Sequence, residues 1–162
     1  MSKINNMHNH APLNYECPFC RIAKGIEDEN LATTQKDIFY RSQDITAFIS
    51  SHAWPNNQCN TIIIPNQHIE NIYNLPTSLS HQIHDFEKKL AIALKKVLEC
   101  DGISSRQHNE PAGNQDVWHY HLHIIPRYEN DKLYQLHNQK NLVDKAERVY
   151  FANKLKNYFS EN

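Results

Sequence analysis

Three histidines, His119, His121 and His123, occupy every second position of the stretch HYHLHII, with apolar or aromatic residues between them. Imidazole can ligate a metal, carry a proton or act as a nucleophile. Cys17 and Cys20 form a second chemical pair, in CPFC near the N-terminus. That spacing suits metal binding or redox chemistry.

On a strand, residues i, i+2 and i+4 share a face and lie about 6.5–7 Å apart along the chain. The expectation is therefore a strand over 117–126, with the three imidazoles on one side. Tyr120, Leu122 and Ile124 then point the other way, into the core, and their apolar character fixes the register. Three readings compete. The first is a solvated strand face that happens to be rich in histidine. Chance is a poor account of it, because histidine is an uncommon residue. The second is a catalytic zinc on H-x-H pairs. The third is nucleophilic catalysis by imidazole, with its neighbours binding an anion and moving a proton.

The flanks favour an anion. Upstream, NEPAGNQD (109–116) is a turn rich in amides and backbone N–H donors, and Pro126-Arg127 follows the histidines. Exposed N–H groups, amides and imidazolium together suit phosphate. A catalytic zinc calls for a carboxylate base nearby, a part Asp116 could play.

The elements that must position these residues read as follows. CPFCRIAKG forms a turn and short helix. DIFYRS (37–42) and DITAFIS (44–50) are two strands, and TIIIP (61–65) is a buried β-branched strand stopped by Pro65. SHAWPNNQC (51–59) is a loop. Apolar residues at helical spacing from Leu79 to Leu98 predict a long helix over 77–99, with Thr77 or Ser78 as N-cap and Asp101-Gly102 at its end. ISSRQHN (103–109) reads as a strand. A closing helix over 141–159 places Leu142, Ala146, Val149, Tyr150 and Leu155 on one face. The order predicts an α+β domain with a mainly antiparallel sheet, one long central helix and a C-terminal helix. Residues 1–15 read as a flexible tail and 16–162 as a single domain.

Composition is that of an ordinary globular chain: 162 residues, 40% hydrophobic and 22% charged. A formal net charge of -1 gives no electrostatic reason to expect nucleic acid or a membrane surface as partner. The polar N-terminus and the lack of a long apolar run predict a cytosolic protein. There structural disulfides are rare, and Cys59 and Cys100 are expected as buried apolar residues.

The stretch NEPAGNQDVWHYHLHIIPRY resembles the signature of the histidine triad (HIT) superfamily of nucleotide hydrolases and transferases. The likeness runs from CPFC through TIIIPNQHIENIY (61–73) and the long helix to about Tyr134. It implies that His121 is the nucleophile toward a nucleoside α-phosphate. A backbone carbonyl at the first triad position would hold its other nitrogen. His123 would contact phosphate and assist the leaving group. Gln115 and the backbone of Asp116 would bind phosphate oxygens, with Asn109 as a further phosphate amide. Cys17-Pro-Phe-Cys20 is similar to bacterial-type members. There it implies a closed structural zinc site of Cys17, Cys20, His68 and His119. The likeness also implies a homodimer. No organic cofactor is expected.

Three positions depart from the pattern. Asn60 stands where many members carry histidine. Ser50 or Ser51 stands near the ribose-binding acid or amide. His108 falls at a phosphate amide position, beside Asn109. Phe48 and Trp54 are candidates for a base pocket, or for core packing and a loop anchor respectively. A nucleotide-binding or scaffolding protein with little turnover is the alternative from another class, and a zinc-dependent hydrolase is a third.

Overall fold

The computed structural model of the chain describes residues 8–27 and 31–161. The helices are α1 (Pro18–Ala23), α2 (Thr77–Leu98) and α3 (Lys145–Glu161). The strands are β1 (Ile38–Arg41), β2 (Ile45–Ile49), β3 (His52–Ala53), β4 (Thr61–Pro65), β5 (Gly102–Gln107), β6 (Leu122–Arg127) and β7 (Asn141–Leu142). Five strands form an antiparallel sheet in the order β1-β2-β4-β6-β5, while β3 and β7 pair as a separate ribbon. The α+β architecture expected from the sequence is the one observed.

Both central strands, ITAFI and TIIIP, are buried at every position. Side chains alternate between the two faces of a strand. One face carries Ala47, Ile49, Ile63, Leu122 and Ile124 under α2 and α3. The other carries Phe48, Ile62 and Ile64, packed against Phe19 and Ile22 of α1. Register places Phe48 opposite Ile62 and Ile62 opposite His123. Phe48, Ile62 and His123 therefore make one row across the sheet, on the face away from the long helix.

The core stripe of α2 is Leu79, Ile83, Phe86, Leu90, Ala93 and Leu94, as the spacing predicted. Its ends differ from expectation. Pro76 holds the N-cap position without a side-chain cap, and Glu99, in the left-handed region at φ 53°, ends the helix. Gly102 opens β5 instead.

The strand expected over 117–126 pairs only from Leu122 onward. Before that point, Tyr120 N donates to the Ile69 carbonyl at 2.6 Å and His119 N to the Val117 carbonyl at 2.8 Å. The backbone there is tied to the 65–71 connection rather than to the sheet. Alternation survives all the same, for Tyr120, Leu122 and Ile124 belong to the core.

The closing helix starts later than expected, because Asn141 and Leu142 pair with Ala53 and His52. Leu142, Ala146 and Tyr150, expected on the inner face, are exposed; Leu155 is buried as expected, together with Arg148 and Ala152. Arg148 is the residue that apolar periodicity could not find. Its guanidinium donates to Asp37 Oδ1 at 3.1 Å, to the Val143 carbonyl at 3.2 Å and to the Ala32 carbonyl at 2.9 Å. This one side chain joins α3 to the turn before β1.

Of the residues read as a tail, 1–7 lie outside the described residues. His8 and Ala11 do make contacts: the His8 carbonyl accepts from Asn71 Nδ2 at 3.1 Å and Ala11 N donates to Glu70 at 3.3 Å. Among the described residues, no helix is long and apolar enough to cross a membrane.

Asp37 and Arg148 are almost fully buried. Removing one partner strands a buried charge, which costs roughly 3–5 kcal/mol. Arg148→Met should therefore destabilise the fold by about that amount in urea unfolding. A loss under about 1 kcal/mol would mean that Asp37 finds water or another donor.

Candidate active site and metal centre

On the sheet face away from α2, a cleft of about 210 Å³ opens between α1, the 31–33 segment and the histidine strand. Phe19, Ile22, Phe48 and Ile62 form its apolar wall; Thr33, Ser50, Ser51 and His52 form a polar rim. At the remaining end stand His121, His123, Asp116 and Lys140.

The His121 ring is held from two sides. Its Nδ1 lies 2.8 Å from the His119 carbonyl. A carbonyl only accepts, so Nδ1 carries a proton, and in the neutral ring the lone pair is on Nε2. Phe19 packs edge-on at 5.3 Å between centroids. Nε2 faces the cleft, where Asp116 Oδ1 approaches to 3.6 Å. That contact with His121 holds the Asp116 carboxyl well below the usual carboxylate range.

His123 packs edge-on against His121 with ring centroids 5.1 Å apart. Its Nδ1 is 3.2 Å from Asn60 Oδ1. Asn60 Nδ2 donates to the His52 carbonyl at 3.0 Å, which leaves Oδ1 as the acceptor. So Nδ1 of His123 is the donor there, and its Nε2 is left bare. Burial, and then the neighbouring His121, push the His123 imidazole well below its ordinary range. Asn60, noted in the sequence as a departure, thus orients a triad histidine.

Not every residue singled out from the sequence reaches the cleft. His121, His123, Asp116 and Ser50 line it; Asn109 and Gln115 do not. Gln115 is buried, donating to the Glu70 carbonyl at 2.6 Å and the Val117 carbonyl at 3.0 Å and accepting from Glu110 N at 2.8 Å. It folds the turn. Asn109 accepts from Ile72 N at 2.8 Å and donates to Gln107 at 2.6 Å. Gln115 is spent on backbone groups, and Asn109 on the Ile72 backbone and the Gln107 side chain. Ser50 Oγ accepts from His52 N at 3.2 Å. Phe48 serves as core and as cleft wall at once. Trp54 is a loop anchor: it is buried with Ile125 and Leu133, and its Nε1 donates to the His137 carbonyl at 3.1 Å.

Lys140 and His52 were not found by sequence reasoning. No motif surrounds either. Lys140 reaches the site because β7 pairs with β3, a contact no local pattern announces.

The first triad histidine turns to another group. His119 Nε2 donates to the Pro65 carbonyl at 2.9 Å, leaving Nδ1 bare. Nδ1 lies 3.3 Å from Cys17 Sγ and 3.6 Å from Cys20 Sγ; His68 Nδ1 lies 3.3 Å from Cys20 Sγ. The four donor atoms all fall within 4.8 Å of one another. Zn–S near 2.3 Å and Zn–N near 2.0 Å in a tetrahedron give S···N distances of about 3.5 Å. Cys17, Cys20, His68 and His119 could therefore hold a metal ion with little movement. The hydrogen bond from Cys17 pulls Cys20 down to about 7, while its counterpart and burial push Cys17 up to about 11. A cation offsets the second thiolate. His121 and His123 stay out of this group, so a metal held by the whole triad does not fit.

The HIT domain family model matches residues 32–130. The adenosine 5′-monophosphoramidase of Candida albicans is 32% identical over 126 residues, covering 75% of this chain and 74% of its own. Among solved structures, a Hit-like protein of Bartonella henselae superposes with a TM-score of 0.73 at 25% identity, covering 91% of this chain and 98% of its own. A zinc-bound histidine triad family protein of Mycobacterium smegmatis gives a TM-score of 0.71 at 22% identity, with the same two coverages of 91% and 98%.

Prepared without chelators, the protein should carry about one metal ion per chain. Cys17→Ser should lower metal content and melting temperature together, because a structural metal's binding energy is part of the folding energy. Metal-free protein whose melting temperature ignores both the substitution and added metal would reduce the cluster to a thiol–imidazole network.

Proposed function

This chain belongs to the HIT domain family, and on that premise we propose that it cleaves or transfers at a nucleoside α-phosphate through a covalent intermediate on His121. The observation that carries this reading is the His121 ring itself. Its Nδ1 is committed to the His119 carbonyl at 2.8 Å, so the lone pair on Nε2 faces the cleft. Neutral imidazole in that tautomer is a nucleophile near pH 7.

In the first step Nε2 forms a bond to the α-phosphorus. The bond from phosphorus to the leaving group breaks, and its electron pair departs with that group. In the second, water attacks the same phosphorus and the P–N bond breaks. His121 regains its lone pair, and a nucleoside monophosphate and a proton are released. The apolar wall of Phe19, Ile22, Phe48 and Ile62 suits a base, and the hydroxyl rim of Thr33, Ser50 and Ser51 suits a sugar. His123, with its Nε2 bare, accepts hydrogen bonds from the leaving group or carries its proton. Dinucleoside polyphosphates, nucleoside phosphoramidates and other AMP conjugates are the candidate substrates. The similarity to a phosphoramidase supports this class.

The metal in this reading is a structural zinc. Cys17, Cys20, His68 and His119 would hold it as a closed four-ligand set, with no open position for water. Its task is to hold α1 and the 65–69 connection against His119, whose carbonyl positions the nucleophile. A cytosolic homodimer completes the reading; β5, at the edge of the sheet, offers unpaired backbone groups to a second copy.

Incubation with a nucleotide panel, following nucleoside monophosphate release, tests the activity. Protein quenched in alkaline denaturant should carry a nucleotidyl adduct on His121 by mass spectrometry. His121→Ala should remove turnover and adduct while the fold persists; turnover within a few-fold of the unaltered protein would sink the assignment. A protein that binds nucleotides with neither turnover nor adduct would be a binding or scaffolding module. His123→Ala should cost roughly 10²–10⁴-fold, the range for acid–base and charge-stabilising groups.

A further inference from the structure

The open nitrogen of His121 is not bare of charge. Asp116 Oδ1 stands 3.6 Å from it, and the other oxygen of the same carboxylate stands 3.6 Å from Lys140 Nζ. The sequence reading gave Asp116 a backbone role and gave Lys140 none. Both side chains are partly open to the cleft: 62% exposed for Asp116 and 37% for Lys140.

Their backbones are anchored even so. Gln115, immediately before Asp116, is buried and hydrogen-bonded at both ends of its amide. Around Lys140, the His137 carbonyl accepts from Trp54 Nε1 at 3.1 Å, Asn141 pairs with Ala53, and Val143 N donates to the Ser51 carbonyl at 2.9 Å. A carboxylate and an ammonium are thus mounted on separate supports beside one reacting nitrogen. Among the described residues lining the cleft, Lys140 is the sole lysine or arginine and Asp116 the sole carboxylate.

We propose that Asp116 and Lys140 sort substrates by the charge of the leaving group, Asp116 favouring an amine and Lys140 admitting a phosphate. This rests on the α-phosphate reading of the same site. In cleavage of a phosphoramidate, the nitrogen takes a proton from solvent and becomes positively charged; the P–N bond then breaks, the nitrogen keeps the pair and an amine departs, to take a second proton in solution. A carboxylate beside the reacting centre stabilises that developing positive charge. In cleavage of a phosphoanhydride, the P–O bond breaks and the oxygen leaves with the pair as a phosphate anion. Asp116 repels that charge, and Lys140 offsets the repulsion. Asp116 alone of the two touches His121, so the balance in the unaltered protein lies toward amine leaving groups.

The pair makes two opposite predictions for two substrates, adenosine 5′-phosphoramidate and diadenosine tetraphosphate. Lys140→Met should lower kcat/KM for the tetraphosphate by roughly 10–100-fold, the value of a lost charge-assisted hydrogen bond. It should lower the phosphoramidate by a clearly smaller factor, so that the ratio of the two kcat/KM values shifts. Asp116→Asn should move the two substrates the other way, lowering the phosphoramidate and raising the tetraphosphate. Equal factors on both substrates, in either variant, would overturn the sorting role and leave a merely structural pair.

Calorimetric titration with AMP and ADP reads the same charges without turnover. Lys140→Met should weaken ADP more than AMP, and Asp116→Asn should tighten ADP more than AMP. If the protein binds both nucleotides but turns over neither substrate, the catalytic reading fails and this ratio still decides the charge roles. If neither nucleotide binds, both proposals fall together.

Discussion

The site depends on one hydrogen bond, from His121 Nδ1 to the carbonyl of His119 at 2.8 Å. It sets the tautomer of His121 and aims the other nitrogen at the cleft. Such a bond is only as good as the placement of its acceptor. The His119 side chain is therefore tied down independently, by the Pro65 carbonyl on one ring nitrogen and the thiols on the other. One residue serves two groups: its ring joins the cysteine cluster, and its carbonyl orients the neighbouring imidazole.

That arrangement explains why the histidine run leaves the sheet. A continuous strand over 117–126 would spend the backbone of residues 119–121 on ladder pairing. Instead, Tyr120 N bonds the Ile69 carbonyl, and the segment bends onto the connection after β4. Pro65 and His68 lie on that connection. The bend brings His119 to them, while His123 stays in register with Ile62. His121 stands at the junction between bend and strand, buried yet aimed at the cleft.

The remaining charges follow the same economy of burial. Asp37 and Arg148 pair within the core and satisfy one another with help from backbone carbonyls. By joining α3 to Ala32, this pair also shapes a wall of the cleft. Asn60 has one amide group on His52 and the other on His123. Polar residues near the site are thus mostly supports. Among the described residues, the groups left to meet a substrate are few: three imidazoles, one carboxylate, one ammonium and a rim of hydroxyls.

Sequence alone determined whatever rests on local periodicity. The α2 stripe, the β-branched runs of β2 and β4 and the alternating core residues Tyr120, Leu122 and Ile124 follow from spacings of 3.6 and 2, which no distant contact can alter. The chemistry of the histidine row and the CPFC pair was legible too, because residue type and spacing carry it. Tertiary structure decided where each side chain spends its hydrogen bonds. Gln115 and Asn109 are good phosphate ligands by type, yet Gln115 is consumed by nearby backbone groups and Asn109 by the Ile72 backbone and the Gln107 side chain. Leu142 and Tyr150 are apolar by type, yet both face outward because β7 pairs with β3. Lys140 and Arg148 read as ordinary surface cations; one reaches the cleft and the other enters the core only through partners far away in the chain. A charged side chain has no periodic signature. Its place depends on which opposite charge or carbonyl the fold brings within reach, and that is settled only when the elements pack.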